Sequence, residues 1–175
     1  MRTRAWLAAA LAAAAPALLP PAASPAAAQS APDAAQAARA DLDALYKGDY
    51  RRAFVEKNAD LFGRHIAPDL RYSSYDGSTA DAEGLKAFVA GRIATIERVV
   101  EHSVSLEHVT VDEAGRITAV VTLTTVLDLR SPAGTIYTET GVSTYRDAFV
   151  KQADGSLLEV SAELLRSHTA RAPRP

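Results

Sequence analysis

Four side chains in this sequence have the chemistry to move a proton or to hold a developing negative charge. Tyr50 lies on an apolar stripe shared with Leu42, Leu45, Tyr46, Ala53 and Phe54, spaced three and four residues apart as on one helix face. It is either a core tyrosine with its hydroxyl at the rim or a donor into a pocket. Asp147 alternates with Tyr145 and Phe149. If that strand face points inward, the carboxyl loses its hydration, favours its neutral form and becomes a hydrogen-bond donor. In the opposite register Arg146 points inward and Asp147 is solvated; Val142, Thr144, Ala148 and Val150 make that face nearly as apolar. His102 alternates with Val100 and Val104, as a core histidine or an inward group that titrates near neutrality. His168 shares a strand face with Leu164 and Arg166, at a pocket mouth or a frayed end. Tyr46, Phe54, Tyr72, Tyr145 and Phe149 are the aromatic residues expected to line the ligand site. His65, His102, His108 and His168 form no helical i,i+4 pair or carboxylate cluster, so no metal is expected.

These groups need elements to carry them. The stretch from Ile117 to Leu127 is rich in β-branched residues and free of Gly and Pro, and reads as a strand. Asp112-Glu113-Ala114-Gly115, Ser131-Pro132-Ala133-Gly134 and Ala153-Asp154-Gly155 are turns that link it to strands over Val99–Val111, Ile136–Val150 and Leu157–Arg166. The result is an antiparallel meander. Upstream, the stripe beginning at Asp41 predicts a first helix. Asn58 caps a short second helix that holds Leu61, Phe62 and Ile66 and ends at Pro68. Leu70–Tyr75 is a short strand, and a third helix follows, capped near Thr79 or Asp81. Helices before a meander predict an α+β fold in which a strongly curved sheet closes a cone around them.

That order of elements resembles the nuclear transport factor 2-like superfamily, in its SnoaL-like and ketosteroid-isomerase-like branch, over about Asp41 to Thr169. Ala67-Pro68-Asp69-Leu70 entering the first strand, Tyr75-Asp76-Gly77 before the third helix, and Tyr145 to Gly155 carry the resemblance. It implies a mixed or antiparallel cystatin-like roll with a pocket in the cone and a homodimer packed through the outer sheet face. In ketosteroid isomerases a tyrosine and a protonated aspartate polarise a carbonyl while a second carboxylate moves the proton. The resemblance places Tyr50 and Asp147 at the two donor positions and Ser74 at the base position. A serine there has no base of its own, so His102, then His168, is expected to serve. The implied function is cofactor-free acid–base chemistry, as a lyase, dehydratase or isomerase, on a small, largely apolar molecule. The alternative is a binding or interaction module with the same pocket and no chemistry.

Composition limits the classes further. Met1–Arg4 is basic, Ala5–Leu19 is apolar, and Ala26-Ala27-Ala28 is a small-residue cleavage site, the order of a secretory leader. The expected division is a leader over 1–28, a linker over 29–40, one domain over 41–170 and a disordered tail over 171–175, with the product periplasmic or secreted. Without Cys there is no disulfide framework. Without Arg2 and Arg4 the chain keeps 17 basic against 21 acidic residues, a net charge of −4, which gives no general attraction for nucleic acid. No membrane association is expected after cleavage. N-terminal sequencing of the exported protein is expected to start at Gln29; soluble cytoplasmic protein that keeps Met1 would contradict the leader.

Overall fold

Strands rich in Val, Ile and Thr, separated by short turns with glycine, pair in chain order. The computed structural model describes residues 31–174, so the leader and its cleavage site lie outside the described residues. The elements are α1 (Ala31–Leu45), a π-helical turn (Tyr46–Tyr50), α2 (Arg51–Val55), α3 (Asp60–Gly63), β1 (Ile66–Ser74), β2 (Thr79–Asp81), α4 (Ala82–Ala94), β3 (Ile96–Val111), β4 (Arg116–Arg130), β5 (Ile136–Lys151) and β6 (Leu157–Pro173). One mixed sheet has the order β2-β1-β6-β5-β4-β3. The meander β3 to β6 is antiparallel, β1 lies parallel to β6, and β2 pairs antiparallel to β1. At the β3–β4 turn Gly115 N–H donates to Asp112 O, and Gly115 adopts φ +78°, which a side chain would disfavour. The β4–β5 turn closes through the equivalent bond from Gly134 to Ser131.

Several boundaries differ from the sequence reading. The first helix starts at Ala31, so it occupies most of the segment read as a linker. The second helix stops at Gly63, and Ile66 and Pro68 belong to β1. Proline has no N–H to give a ladder, and β1 is irregular between Ile66 and Arg71, short of the stretch where β2 pairs with it. The tail joins the sheet: β6 stays paired with β5 as far as Pro173. Asp81 does cap α4, the third helix of the sequence reading, accepting from Gly84 N–H at 2.8 Å.

Three buried clusters enclose the interior. Leu42, Leu45, Tyr46 and Tyr50 pack on Leu106, Val121 and Phe149. Ala53 and Leu61 pack with Ile93, Ile96, Leu127 and Leu129. Ile66 and Leu70 pack with Ala82 and Leu85. Phe62 touches all three, so one ring from the shortest helix joins the helical layer to both ends of the sheet. Among the described residues no helix is long and apolar enough to cross a membrane.

Candidate functional site

Inside the ring of clusters is a cavity of about 520 Å³. Its floor is built by two elements. The first helix is broken at Gly48, whose φ −87° and ψ −105° are not helical, and Arg51 N–H reaches back five residues to Tyr46 O. This π-type turn, a local feature often found where a helix carries function, sets Tyr46 and Tyr50 side by side with ring centroids 5.1 Å apart. The sheet supplies carboxylates opposite them. Tyr46 Oη donates to Asp147 Oδ2 at 2.5 Å, and Tyr50 Oη donates to Glu159 Oε2 at 2.6 Å.

Both carboxyls are buried, Asp147 at 3% and Glu159 at 4% exposure. Loss of hydration pushes the Asp147 carboxyl up to about 7, against a smaller opposing effect of the Tyr46 hydrogen bond. Glu159 is raised well above its ordinary value, first by burial and then by the neighbouring Asp147 charge. Both carboxyls are thus biased toward their protonated forms, and near neutrality Asp147 can exist in either form. Both tyrosines are pushed well above their usual range by burial and by these carboxyls, so they act as neutral donors. Among the described residues, Asp147 Oδ1 is the buried side-chain polar atom with no hydrogen-bond partner. Such an atom costs about 1–3 kcal/mol, and more if charged, which marks it as a point for a proton or a ligand.

The register expected around Asp147 is present. Tyr145 and Asp147 line the cavity, while Arg146 is exposed and pairs with Glu163 at 2.5 Å. Phe149 shares their face but is fully buried beneath the floor, edge-on to Tyr46 at 6.3 Å, so it supports the pocket rather than lining it. Phe54 and Tyr72 line the walls, and burial pushes the Tyr145 hydroxyl up to about 12. Tyr50 does not share its hydrogen bond with Asp147; Tyr46, expected only as a lining residue, is the partner.

His102 reaches the cavity from β3 and packs against Phe54, with centroids 5.4 Å apart and the rings tilted by 52°. Burial lowers its pKa, so it is neutral near pH 7. His168 is the correction. Ala162 and Leu164 point inward, but the β5–β6 register shifts between Thr144 and Tyr145 and leaves Leu165 without a partner. Beyond that bulge Ser167 and Thr169 line the cavity, and His168, opposite Val142, is exposed outside it. The same kind of shift between Val99 and Glu101 leaves Val100 exposed although His102 faces in. Ser74 is not among the lining residues. His65 lies behind the floor, edge-on to Tyr50, with Nδ1 3.0 Å from Leu157 O and Nε2 2.8 Å from Asp49 Oδ2.

The sequence reading missed Glu159, although it alternates with Leu157 in an otherwise apolar run. It also missed Arg92, Glu139 and Arg171 at the mouth; Arg171 fell in the segment read as tail. Among the described residues no group of three or more His, Asp or Glu side chains could hold a metal ion.

This geometry can be set beside known proteins. No family model matches the chain, and no curated protein does either. Solved structures do. A hexachlorocyclohexane dehydrochlorinase (LinA, type 2) superposes with TM-score 0.56 at 14% identity, over 81% of this chain and 92% of that one. A candidate scytalone dehydratase from Novosphingobium aromaticivorans gives TM-score 0.58 at 16% identity, over 82% and 96%. A Nostoc punctiforme protein of unknown function with a cystatin-like fold gives 0.52 at 16%, over 72% and 88%. The chain has the nuclear transport factor 2-like, or cystatin-like, fold. The likeness concerns fold alone, and chemistry has to be argued from the site.

Burial of Asp147 has a measurable consequence. A carboxyl raised from its unfolded value to about 7 in the fold adds nothing unfavourable at low pH, where both states are protonated. From about pH 4 upward the unfolded chain ionises first, so stability falls until the folded carboxyl ionises too. Glu159 acts with the same sign. Asp147→Asn is expected to raise the melting temperature at about pH 8 and to change it little at about pH 4, with a flatter pH profile than wild type. Parallel profiles for the two proteins would contradict the burial penalty.

Proposed function

We propose that the cavity is the active site of a cofactor-independent lyase, acting by proton abstraction and elimination on a small, largely apolar molecule. The observation that carries this reading is the unpartnered Asp147 Oδ1, a buried carboxyl oxygen poised between its two protonation states. A general base works best when its pKa lies near the working pH. In the proposed reaction ionised Asp147 takes a proton from a carbon beside an electron-withdrawing group, and Tyr46 holds the other carboxyl oxygen in place. Tyr50 donates its one O–H hydrogen bond to Glu159, and protonated Glu159 supplies the neutral donor on the same floor, where charge develops as the proton leaves. One such donor in a dry site contributes about 3–4 kcal/mol to the transition state. Neutral His102, on β3, offers an N–H hydrogen bond to the departing group, which leaves with its bonding electron pair as the C–H electrons form the new double bond. This revises the roles expected from sequence, in which Asp147 was the donor and His102 the base.

The dehydrochlorinase and the candidate dehydratase that share the fold are both named for eliminations, which supports the class but not a substrate. Export, and packing of two copies through the outer sheet face where Val142 and Val150 stand exposed, belong to the same proposal.

Turnover of small β-hydroxy and β-halo carbonyl compounds by the purified protein tests it. Asp147→Asn is expected to lower kcat by about a hundredfold or more, in the range of a lost general base, with KM changed far less. Equal losses of affinity and rate, or ligand binding without turnover, would identify a binding module instead.

A further inference from the structure

The cavity differs chemically at its two ends. The floor carries the Asp147 and Glu159 carboxyls. The mouth carries Arg92 from α4, Glu139 from β5 and Arg171 from β6. Glu139 is 6% exposed and accepts from both arginines, from Arg92 Nη2 at Oε1 and from Arg171 Nε at Oε2, the latter at 2.7 Å. Two guanidiniums against one carboxylate leave this cluster with one net positive charge.

The bonds to Glu139 do not use up the donors. Among the described residues they are the hydrogen bonds these two guanidiniums make, which leaves Arg92 Nη1 and both Nη atoms of Arg171 for another acceptor. Arg171 also lies over the Tyr137 ring, 5.4 Å from its centroid, which fixes the guanidinium on one side. Both arginines line the cavity and also a groove of about 820 Å³ alongside it. They stand where the outer end of a bound molecule would lie, with Phe88 beside them in both spaces.

We propose that the substrate is an apolar carboxylic acid: a hydrophobic body in the cavity, its reacting carbon at Asp147, and a single carboxylate held at the mouth by Arg92 and Arg171. A planar carboxylate matches the guanidinium fork, and one negative charge balances the cluster. The acidic floor repels the same group, so the acid enters in one direction and presents its uncharged end to the base. This inference rests on the cavity being the active site, and it names what that site would accept.

The test compares three fluorescent probes by direct titration: 2-naphthoate, its neutral methyl ester, and 2-naphthyl phosphate. Wild type is expected to bind 2-naphthoate roughly tenfold or more tightly than the ester, as one charge-assisted contact would give. Added salt should weaken the acid and leave the ester unchanged. Arg171→Gln should remove the preference by weakening the acid alone, and Arg171→Lys should keep part of it. Should Arg171→Gln fail to fold, the acid-to-ester ratio and its salt dependence in wild type decide the matter. Equal affinity for acid and ester, or equal weakening of both in folded Arg171→Gln, would overturn the inference, and tighter binding of the phosphate would overturn the carboxylate assignment. Loss of acid preference alongside Asp147-dependent turnover would sink this inference alone. Acid preference without any turnover would keep the anion-holding mouth and sink the lyase reading.

Discussion

Two carboxyl groups sit at the floor of one cavity, each removed from water and each given one tyrosine hydroxyl in exchange. A single neutral donor offsets only part of the hydration a carboxylate loses. The remainder appears as raised proton affinity at both positions, and Glu159 also feels the Asp147 charge. Much of the surrounding structure serves to keep this arrangement dry and aligned. The break at Gly48 aims Tyr46 and Tyr50 at the sheet, and Phe62 closes against Tyr50 with ring centroids 4.8 Å apart. Behind Tyr50 the His65 ring is anchored to Asp49, and His65 O accepts from Glu159 N–H at 2.7 Å. Burial alone would raise Asp49, but His65 and Arg64 hold its carboxyl below the ordinary value.

The curved sheet contributes through its irregularities. A regular strand of β6's length would keep one alternation from end to end. Here the register shifts twice against β5, leaving Val160 and Leu165 without partners. The first shift lets Glu159 and Ala162, three residues apart, both face in. The second brings Ser167, Thr169 and Arg171 to the cavity wall and turns His168 away. One strand, bent by two bulges, therefore supplies Glu159 to the acidic floor and Arg171 to the basic mouth.

This explains what could be read from the sequence. The hairpins were legible because Asp112–Gly115 and Ser131–Gly134 have turn chemistry that depends only on local residues. The Tyr46–Tyr50 stripe was legible because helical spacing survives the π turn, and the face of Asp147 because β4 and β5 pair without a bulge from Arg116 to Arg130. His168 was misplaced because a bulge is a property of two strands, and one strand's alternation does not encode it. Glu159 carried a signal, an acid alternating with Leu157, but its pairing with Tyr50 spans 109 residues of chain. Arg171 was lost because Ala170 to Pro173 has no strand pattern of its own; pairing with β5 holds it in the sheet. Likewise Ala31 to Ala40 has too few large apolar residues to reveal a helix, although Ala38 is buried against the core.

The central claim is that Asp147 changes protonation near neutrality while buried. It is tested most directly by following the Asp147 side-chain carboxyl carbon by NMR through a pH titration, assigned by its loss in Asp147→Asn. The account predicts a midpoint close to 7. Titration of Asp147 in the ordinary carboxylate range of about 3.5–4 would contradict it.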